Sequence, residues 1–257
     1  MFKKQISPQE VRALSAAETL AHYSRVKVGL STSSTLVRNP QSTKNTNDFN
    51  TEFIVENADV IDSVFSAHPN HVGVMNFASA IVPGGNFEKG VQAQEQTLCR
   101  NSFLGPELVK FKDTYYAENK ADNRGGLYTN DLIYSQRVAF VKRTIDGKET
   151  FVDPVYADVV TIAAPNRNID GEGLVERDYT RALAEKIRNT LRAFKANGCT
   201  VLVLGAFGCG VFRNEPKVVA QLFKLILDTK EFKGQFEKVS FTIFGTGDNF
   251  NAFKEFF

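Results

Sequence analysis

Tryptophan is absent from this 257-residue chain, which has only two methionines, three cysteines and three histidines. Cys99, Cys199 and Cys209 are odd in number and widely spaced, with no Cys-x-x-Cys pair and no histidine pair nearby. That pattern argues against a zinc site and fits three free thiols in a reducing compartment. His22, His68 and His71 are scattered over helix and loop with no Cys or Asp signature beside them, so histidine-based catalysis has no support and no metal is expected. No apolar run approaches the roughly 20 residues that span a bilayer. The opening Met1-Phe2-Lys3-Lys4-Gln5 leads into a polar helix signal, not an apolar signal-peptide core. A cytoplasmic protein with no membrane partner is the expectation. Charge of one sign is also lacking: 31 Lys and Arg face 29 Asp and Glu, a net charge of +2. Sequence-independent nucleic-acid binding needs a cationic excess or stripe, so none is expected.

The remaining composition is that of a globular protein, with 42% hydrophobic and 23% charged residues. Ser7-Pro8-Gln9-Glu10 combines an N-cap serine, a proline at the first helical position and a glutamate three residues after the cap. It predicts a helix to about Tyr23 that buries Val11, Leu14, Ala17 and Leu20. Val26 to Leu30 alternates like a strand, and the polar stretch 39–50 reads as a mobile loop. Strands are expected near 53–55, 72–77, 159–163, 200–204 and 239–244. Helices are expected near 58–67, 174–196, 216–229 and 251–257, with Asn197-Gly198 capping the longest. Continuous apolar strands separated by helices imply an α/β fold with a sheet covered on both faces. With no internal repeat and no long linker, residues 1–257 read as one domain.

In such sheets ligands bind at the carboxyl ends of strands, in loops that lead into helices. Two such loops are unusual: Asn76 to Gln96, which contains Pro83-Gly84-Gly85-Asn86, and Gly205 to Pro216, which contains Gly208-Cys209-Gly210-Val211-Phe212. The second leaves a strand and enters a helix opened by Glu215-Pro216. Its glycines let backbone amides approach a ligand, and the helix N-terminus adds partial positive charge, which together suit an anion such as a diphosphate. Gly84-Gly85 can do the same from the other side. Neither loop carries the Gly-Lys-Ser/Thr of a P-loop, and no Gly-x-Gly-x-x-Gly opens a dinucleotide fold.

Asn76-Phe77-Ala78-Ser79, Pro83-Gly84-Gly85-Asn86, Gln92-Ala93-Gln94-Glu95-Gln96 and Leu98-Cys99-Arg100 together resemble the signature of the microbial poly(ADP-ribose) glycohydrolases. That signature is a triple glycine followed at a set distance by Gln-Glu-Glu. Gly205 to Asn214 resembles the second diphosphate loop of that family, and Ile162-Ala163-Ala164-Pro165-Asn166 the strand end between the two. The resemblance implies a three-layer α/β/α macrodomain with a mixed central sheet and an N-terminal helical extension. It implies a ligand containing ADP-ribose, free or linked to protein or nucleotide, and hydrolysis of its glycosidic bond without a cofactor. It places Gly84, Gly85 and Asn86 on one side of the diphosphate and Gly208, Cys209, Gly210, Val211 and Phe212 on the other. Asn76 or Ser79 would meet the distal ribose, Gln94 would join the ligand-binding set, and Phe244 would stack on adenine.

Two positions depart from the family pattern. Asn86 replaces the third glycine, and asparagine tolerates left-handed geometry better than most residues. Gln96 stands where the second glutamate, by family analogy the acid, is expected. Glutamine can hydrogen-bond ribose hydroxyls but cannot deliver a proton, and general acid catalysis is worth about 10²–10⁴-fold. Three readings follow. Glu95 serves as the acid with Gln96 orienting substrate, or the protein senses ADP-ribose without cleaving it, or Gln96 is a substitution introduced to trap substrate.

Overall fold

The computed structural model describes residues 6–169 and 171–257; the polar opening at residues 1–5 lies outside them. Helix α1 (Pro8–Val26) begins on the expected capping box, with Glu10 N–H donating to Ser7 Oγ and Ser7 N–H donating to Glu10 Oε2. Its buried face differs from the expected one. Ser15, Ala16 and Thr19 face inward, whereas Val11 and Leu14 are 54% and 56% exposed, Ala17 is exposed and Leu20 is only half-buried. Small residues turn inward because the helix lies close against the loop that follows residue 83. Gln9 Nε2 donates to Lys89 O at 2.9 Å and Arg12 Nε to Gly90 O at 2.8 Å. The strand expected at 26–30 is the end of α1 and a 3-10 turn over Lys27–Gly29.

Seven strands follow: β1 (Ser33–Val37), β2 (Glu52–Glu56), β3 (Val72–Phe77), β4 (Leu132–Ile145), β5 (Lys148–Ile162), β6 (Val201–Leu204) and β7 (Lys238–Thr242). They form one sheet in the order β1-β4-β5-β3-β6-β7-β2. The β1–β4–β5 edge is antiparallel, and from β5 to β2 every pairing is parallel. The sheet is therefore mixed. Residues 72–76 of β3 are all buried, as a strand covered on both faces requires.

The other helices are α2 (Val60–Ala67), α3 (Gln94–Asn101), α4 (Leu104–Val109), α5 (Ala117–Ala121), α6 (Glu176–Ala196), α7 (Pro216–Leu227) and α8 (Asp248–Phe256). One core lies between the sheet and α6, α7 and α8, where Ile187, Leu191, Phe223 and Phe253 meet Met75, Leu202 and Phe241. The other lies between the opposite face and α1 to α4, where Ala16, Val64, Leu98 and Leu108 meet Val74, Val159 and Val203. This is the three-layer α/β arrangement with a helical extension at its start. Helix α8 starts at Asp248, capped by Gly247. Residues 39–50 carry neither helix nor strand, and Asn45, Thr46 and Asn47 hydrogen-bond to residues 230–235. Among the described residues no helix is long and apolar enough to cross a membrane.

Candidate active site

Beyond β3 the chain must turn sharply to reach α3, and it does so through three consecutive left-handed residues. Gly84, Gly85 and Asn86 have φ of 66°, 56° and 63°. Asn86 thus accepts the geometry a third glycine would take. A Cβ on Gly85 would collide with Gln96 Nε2 and lie 2.7 Å from Glu95 Oε2, so the backbone here is pressed against both side chains. Gln94, first residue of α3, uses its whole amide to hold the end of β3: Phe77 N–H donates to its Oε1 at 2.9 Å and its Nε2 donates to Met75 O at 2.7 Å.

Across from this loop, Gly208 has a φ of 74°, and a Cβ there would lie 2.5 Å from Ala164 Cβ and 2.6 Å from Asn214 Nδ2. Asn214, buried, ties the loop down by donating from Nδ2 to Pro165 O at 2.8 Å and to Gly208 O at 3.1 Å. Arg167 N–H donates to Phe212 O at 3.0 Å, and Asn168 Nδ2 donates to Val211 O at 2.5 Å. The loop backbone is therefore fixed while the Val211 side chain stays 77% exposed.

Between the loops lies a cavity of about 390 Å³, and Ser79, Gly85, Asn86, Gln94, Glu95, Gln96, Gly208, Gly210, Val211 and Phe212 all reach its wall. A second cavity of about 290 Å³ adjoins it, sharing Phe77, Gln92, Ala93, Gln94 and Ala206. Phe244, 88% exposed, stands on the wall of the second cavity with Asp59, Thr242 and Asn249. Three expected residues lie elsewhere. Gly84 is buried under the loop, and Cys209 turns its Sγ back toward Phe207 O at 3.8 Å. Asn76 is fully buried behind Glu95, where its Nδ2 reaches Glu95 Oε1 at 3.3 Å and Thr161 Oγ1 at 3.1 Å.

Among the described residues Glu95 is the one carboxyl on the wall of the larger cavity, and it is 2% exposed. Ser79 N–H donates to its Oε2 at 2.8 Å. Burial pushes this carboxyl up from 4.5 to about 8, against the hydrogen bonds from Ser79, Asn76 and the Gly84 backbone. Its place in the first turn of α3 also favours the anion, but such a dipole effect is worth about 0.3–1 kcal/mol, less than one pKa unit. Desolvation wins, and the group is protonated at neutral pH. Gln96 Nε2 donates to Gly85 O at 2.7 Å, which leaves its buried Oε1, like Asn76 Oδ1, without a hydrogen-bond partner among the described residues.

Asn214, Asn76 as a support for Glu95, and the shared wall residue Phe77 were not among the expected groups or roles. Asn214 alone had a signal, since it closes the Gly-rich stretch just before the helix. Asn214→Ala is expected to cost about 1–3 kcal/mol by leaving the buried Pro165 carbonyl without its donor, a loss that urea denaturation will measure.

A mixed sheet layered by helices, with two glycine-shaped loops facing across a cleft at its strand ends, defines an α/β ligand-binding domain with a buried acid on its cleft wall. Residues 9–143 match the family described as microbial-type PARG, catalytic domain, and the chain belongs to that family. It is similar to the poly(ADP-ribose) glycohydrolase from Thermomonospora curvata, at 30% identity over 96% of this chain and 99% of that one, with a TM-score of 0.85. The same enzyme bound to the inhibitor ADP-HPD matches at 30% identity over 96% and 99%, with a TM-score of 0.82. The poly(ADP-ribose) glycohydrolase from Deinococcus radiodurans in complex with ADP-ribose matches at 31% identity over 86% and 92%, with a TM-score of 0.76. No curated protein sequence matches the chain.

Proposed function

We propose that this protein binds ADP-ribose across the two adjoining cavities and hydrolyses the glycosidic bond of poly- or mono-ADP-ribose conjugates, with Glu95 as the acid. The observation that carries this reading is a carboxyl on the cleft wall, beside Gly85 and Gln96, that burial holds protonated up to about pH 8. Family membership supports it, as do the two relatives whose structures hold ADP-HPD and ADP-ribose.

The diphosphate lies between the Gly85–Asn86 turn and the Gly208–Phe212 loop, where backbone amides supply the donors. Ser79 Oγ and the Gln96 amide meet the distal ribose hydroxyls. As the bond from the anomeric carbon to the leaving oxygen breaks, the Glu95 carboxyl gives that oxygen its proton and the ribose becomes oxocarbenium-like. Water adds to the anomeric carbon and returns a proton to the Glu95 carboxylate. Gln96 has no proton to give and positions the sugar. The partners in this reading are ADP-ribosylated protein or nucleotide in the cytoplasm, a setting that suits free thiols at Cys99, Cys199 and Cys209.

The deciding experiment follows released ADP-ribose by chromatography from poly(ADP-ribose) and from mono-ADP-ribosylated protein, with calorimetric titration of ADP-ribose alongside. Release by the native chain, slowed at least about a hundredfold in Glu95→Gln, is the expected result. Binding without release, with release created by Gln96→Glu, would make the protein a sensor of ADP-ribose and sink the assignment of Glu95. A smaller effect is expected at Phe244, where Phe244→Ala removes an exposed ring from the second cavity. Stacking on a base is worth about 1–3 kcal/mol, so ADP-ribose affinity should fall about 5- to 150-fold with the melting temperature unchanged.

A further inference from the structure

At the end of the central strands opposite the cleft, three chain segments far apart in sequence converge. His71 immediately precedes β3, Cys199 lies just ahead of β6, and Asp158 sits in β5, paired with Gly73 at the start of β3. Six residues of β3, about 17–20 Å of extended chain, separate this cluster from the cleft. One ligand atom from each of His71, Asp158 and Cys199 lies within 4.8 Å of the other two. His71 Nε2 is 2.9 Å and Cys199 Sγ 3.7 Å from Asp158 Oδ2.

Asp158 is 1% exposed and, among the described residues, has no lysine or arginine side chain within ion-pair distance. A buried carboxylate without a cation is costly, yet this one is held in place deliberately. The register of β4 against β5 shifts between Ser135 and Val138, and Arg137 there has a φ of 53°. That bulge aims Arg137 N–H at Asp158 Oδ1, 2.8 Å away, while Tyr134 OH donates to Oδ2 at 2.5 Å. Fixing a carboxylate through its outer partners is what a cation site requires of its surroundings.

We infer that His71, Asp158 and Cys199 bind a single zinc-type divalent cation. One nitrogen, one carboxylate oxygen and one sulfur form a set that suits zinc or cobalt and not magnesium or calcium. Bond lengths of about 2.0 Å to oxygen and 2.3 Å to sulfur at a tetrahedral angle put the two ligand atoms about 3.5 Å apart, close to the 3.7 Å between Cys199 Sγ and Asp158 Oδ2. The nitrogen must open a few tenths of an ångström from Oδ2 and swing toward the sulfur. The His71 side chain is 43% exposed and free to move, and it also marks the entry path. Burial and Asp158 push the Cys199 thiol up, so in the free protein it stays protonated. Binding exchanges that thiol proton, released to solvent, for a metal–sulfur bond.

The test titrates metal-free full-length protein with Co²⁺, read by absorption, and with Zn²⁺, read by calorimetry in buffers of different ionisation enthalpy. One equivalent of Co²⁺ should give a sulfur-to-cobalt charge-transfer band with the strong visible bands of four-coordinate cobalt. Zn²⁺ should displace it with release of a proton. Cys199→Ser should abolish the charge-transfer band, Cys209→Ser should keep it, and the surface change His71→Ala should weaken Zn²⁺ binding at least about tenfold. ADP-ribose affinity should be unchanged in Cys199→Ser and His71→Ala, neither of which lies in the cleft. No band, a band that survives Cys199→Ser or vanishes in Cys209→Ser, or full affinity in His71→Ala would each overturn the site.

Discussion

Glu95→Gln is expected to slow release of ADP-ribose by about 10²–10⁴-fold while ADP-ribose affinity changes little, because the amide keeps the shape of the carboxyl and its oxygen can still accept from Ser79 N–H. Stability should move the other way. The folded carboxyl stands at about 8 against an ordinary 4.5, so between those values the folded protein holds a proton that the unfolded chain does not. The stabilisation from this protonation is fully present below about 4.5 and is lost as pH rises through about 8. Glutamine does not titrate. Melting curves of the variant and the native protein should therefore differ little at pH 4.5, with the variant more stable by on the order of a few kcal/mol at pH 9. Turnover by the native enzyme should fall above pH 8 as the acid ionises. A pH-independent gap in melting temperature would show that Glu95 titrates normally and remove the physical basis for its role.

The second large effect is expected at Gly85. An alanine there must hold a φ of 56°, which costs about 1–2 kcal/mol for a residue with a Cβ, and that Cβ drives into the Gln96 amide and the Glu95 carboxyl. Overpacking adds about 1–3 kcal/mol. Relief requires Gln96 to leave Gly85 O and give up its place on the cavity wall. Gly85→Ala should therefore weaken ADP-ribose binding at least about tenfold as well as lower stability. Calorimetry that found native affinity in this variant would mean that the ligand does not rest against the turn. Gly208→Ala meets backbone strain and a comparable collision on the other loop, but with Ala164 and Asn214, so its effect should fall more on loop stability than on Gln96.

Local chemistry explains what was legible in the residues. Ser7, Pro8 and Glu10 form the cap they spell, and Val72 to Phe77 is a strand because a run of apolar residues has no exposed face to spare. Gly84, Gly85 and Gly208 pointed to the cleft because each occupies a backbone conformation that disfavours a side chain. The inward face of α1 was misread because close packing against residues 89–90 selects Ser15, Ala16 and Thr19 over larger apolar neighbours. The long β4–β5 hairpin had a signal that went unread: Asp146-Gly147, with φ of 51° and 75°, turns between Ile145 and Lys148. The edge strand β1 is short and largely Ser and Thr, so it forms by pairing with β4 and not by its own pattern. The inward position of Asn76 and the meeting of His71, Asp158 and Cys199 depend on which strands become neighbours. Spacing along the chain carries no trace of that order.

Gln9 and Arg12 grip the carbonyls of Lys89 and Gly90, on the far side of the loop from the cleft. The first helix is thereby a splint, and the turn at Gly84 to Asn86 is set in shape before anything enters the cavity. A ligand meeting a rigid turn has little chain left to order, and the freedom it would otherwise have to quench was surrendered when the protein folded. Damage to the splint would therefore surface at a distance. Changes at Gln9 or Arg12, which touch no part of the cleft, would register as a slacker grip on the diphosphate and a faster departure of the ligand.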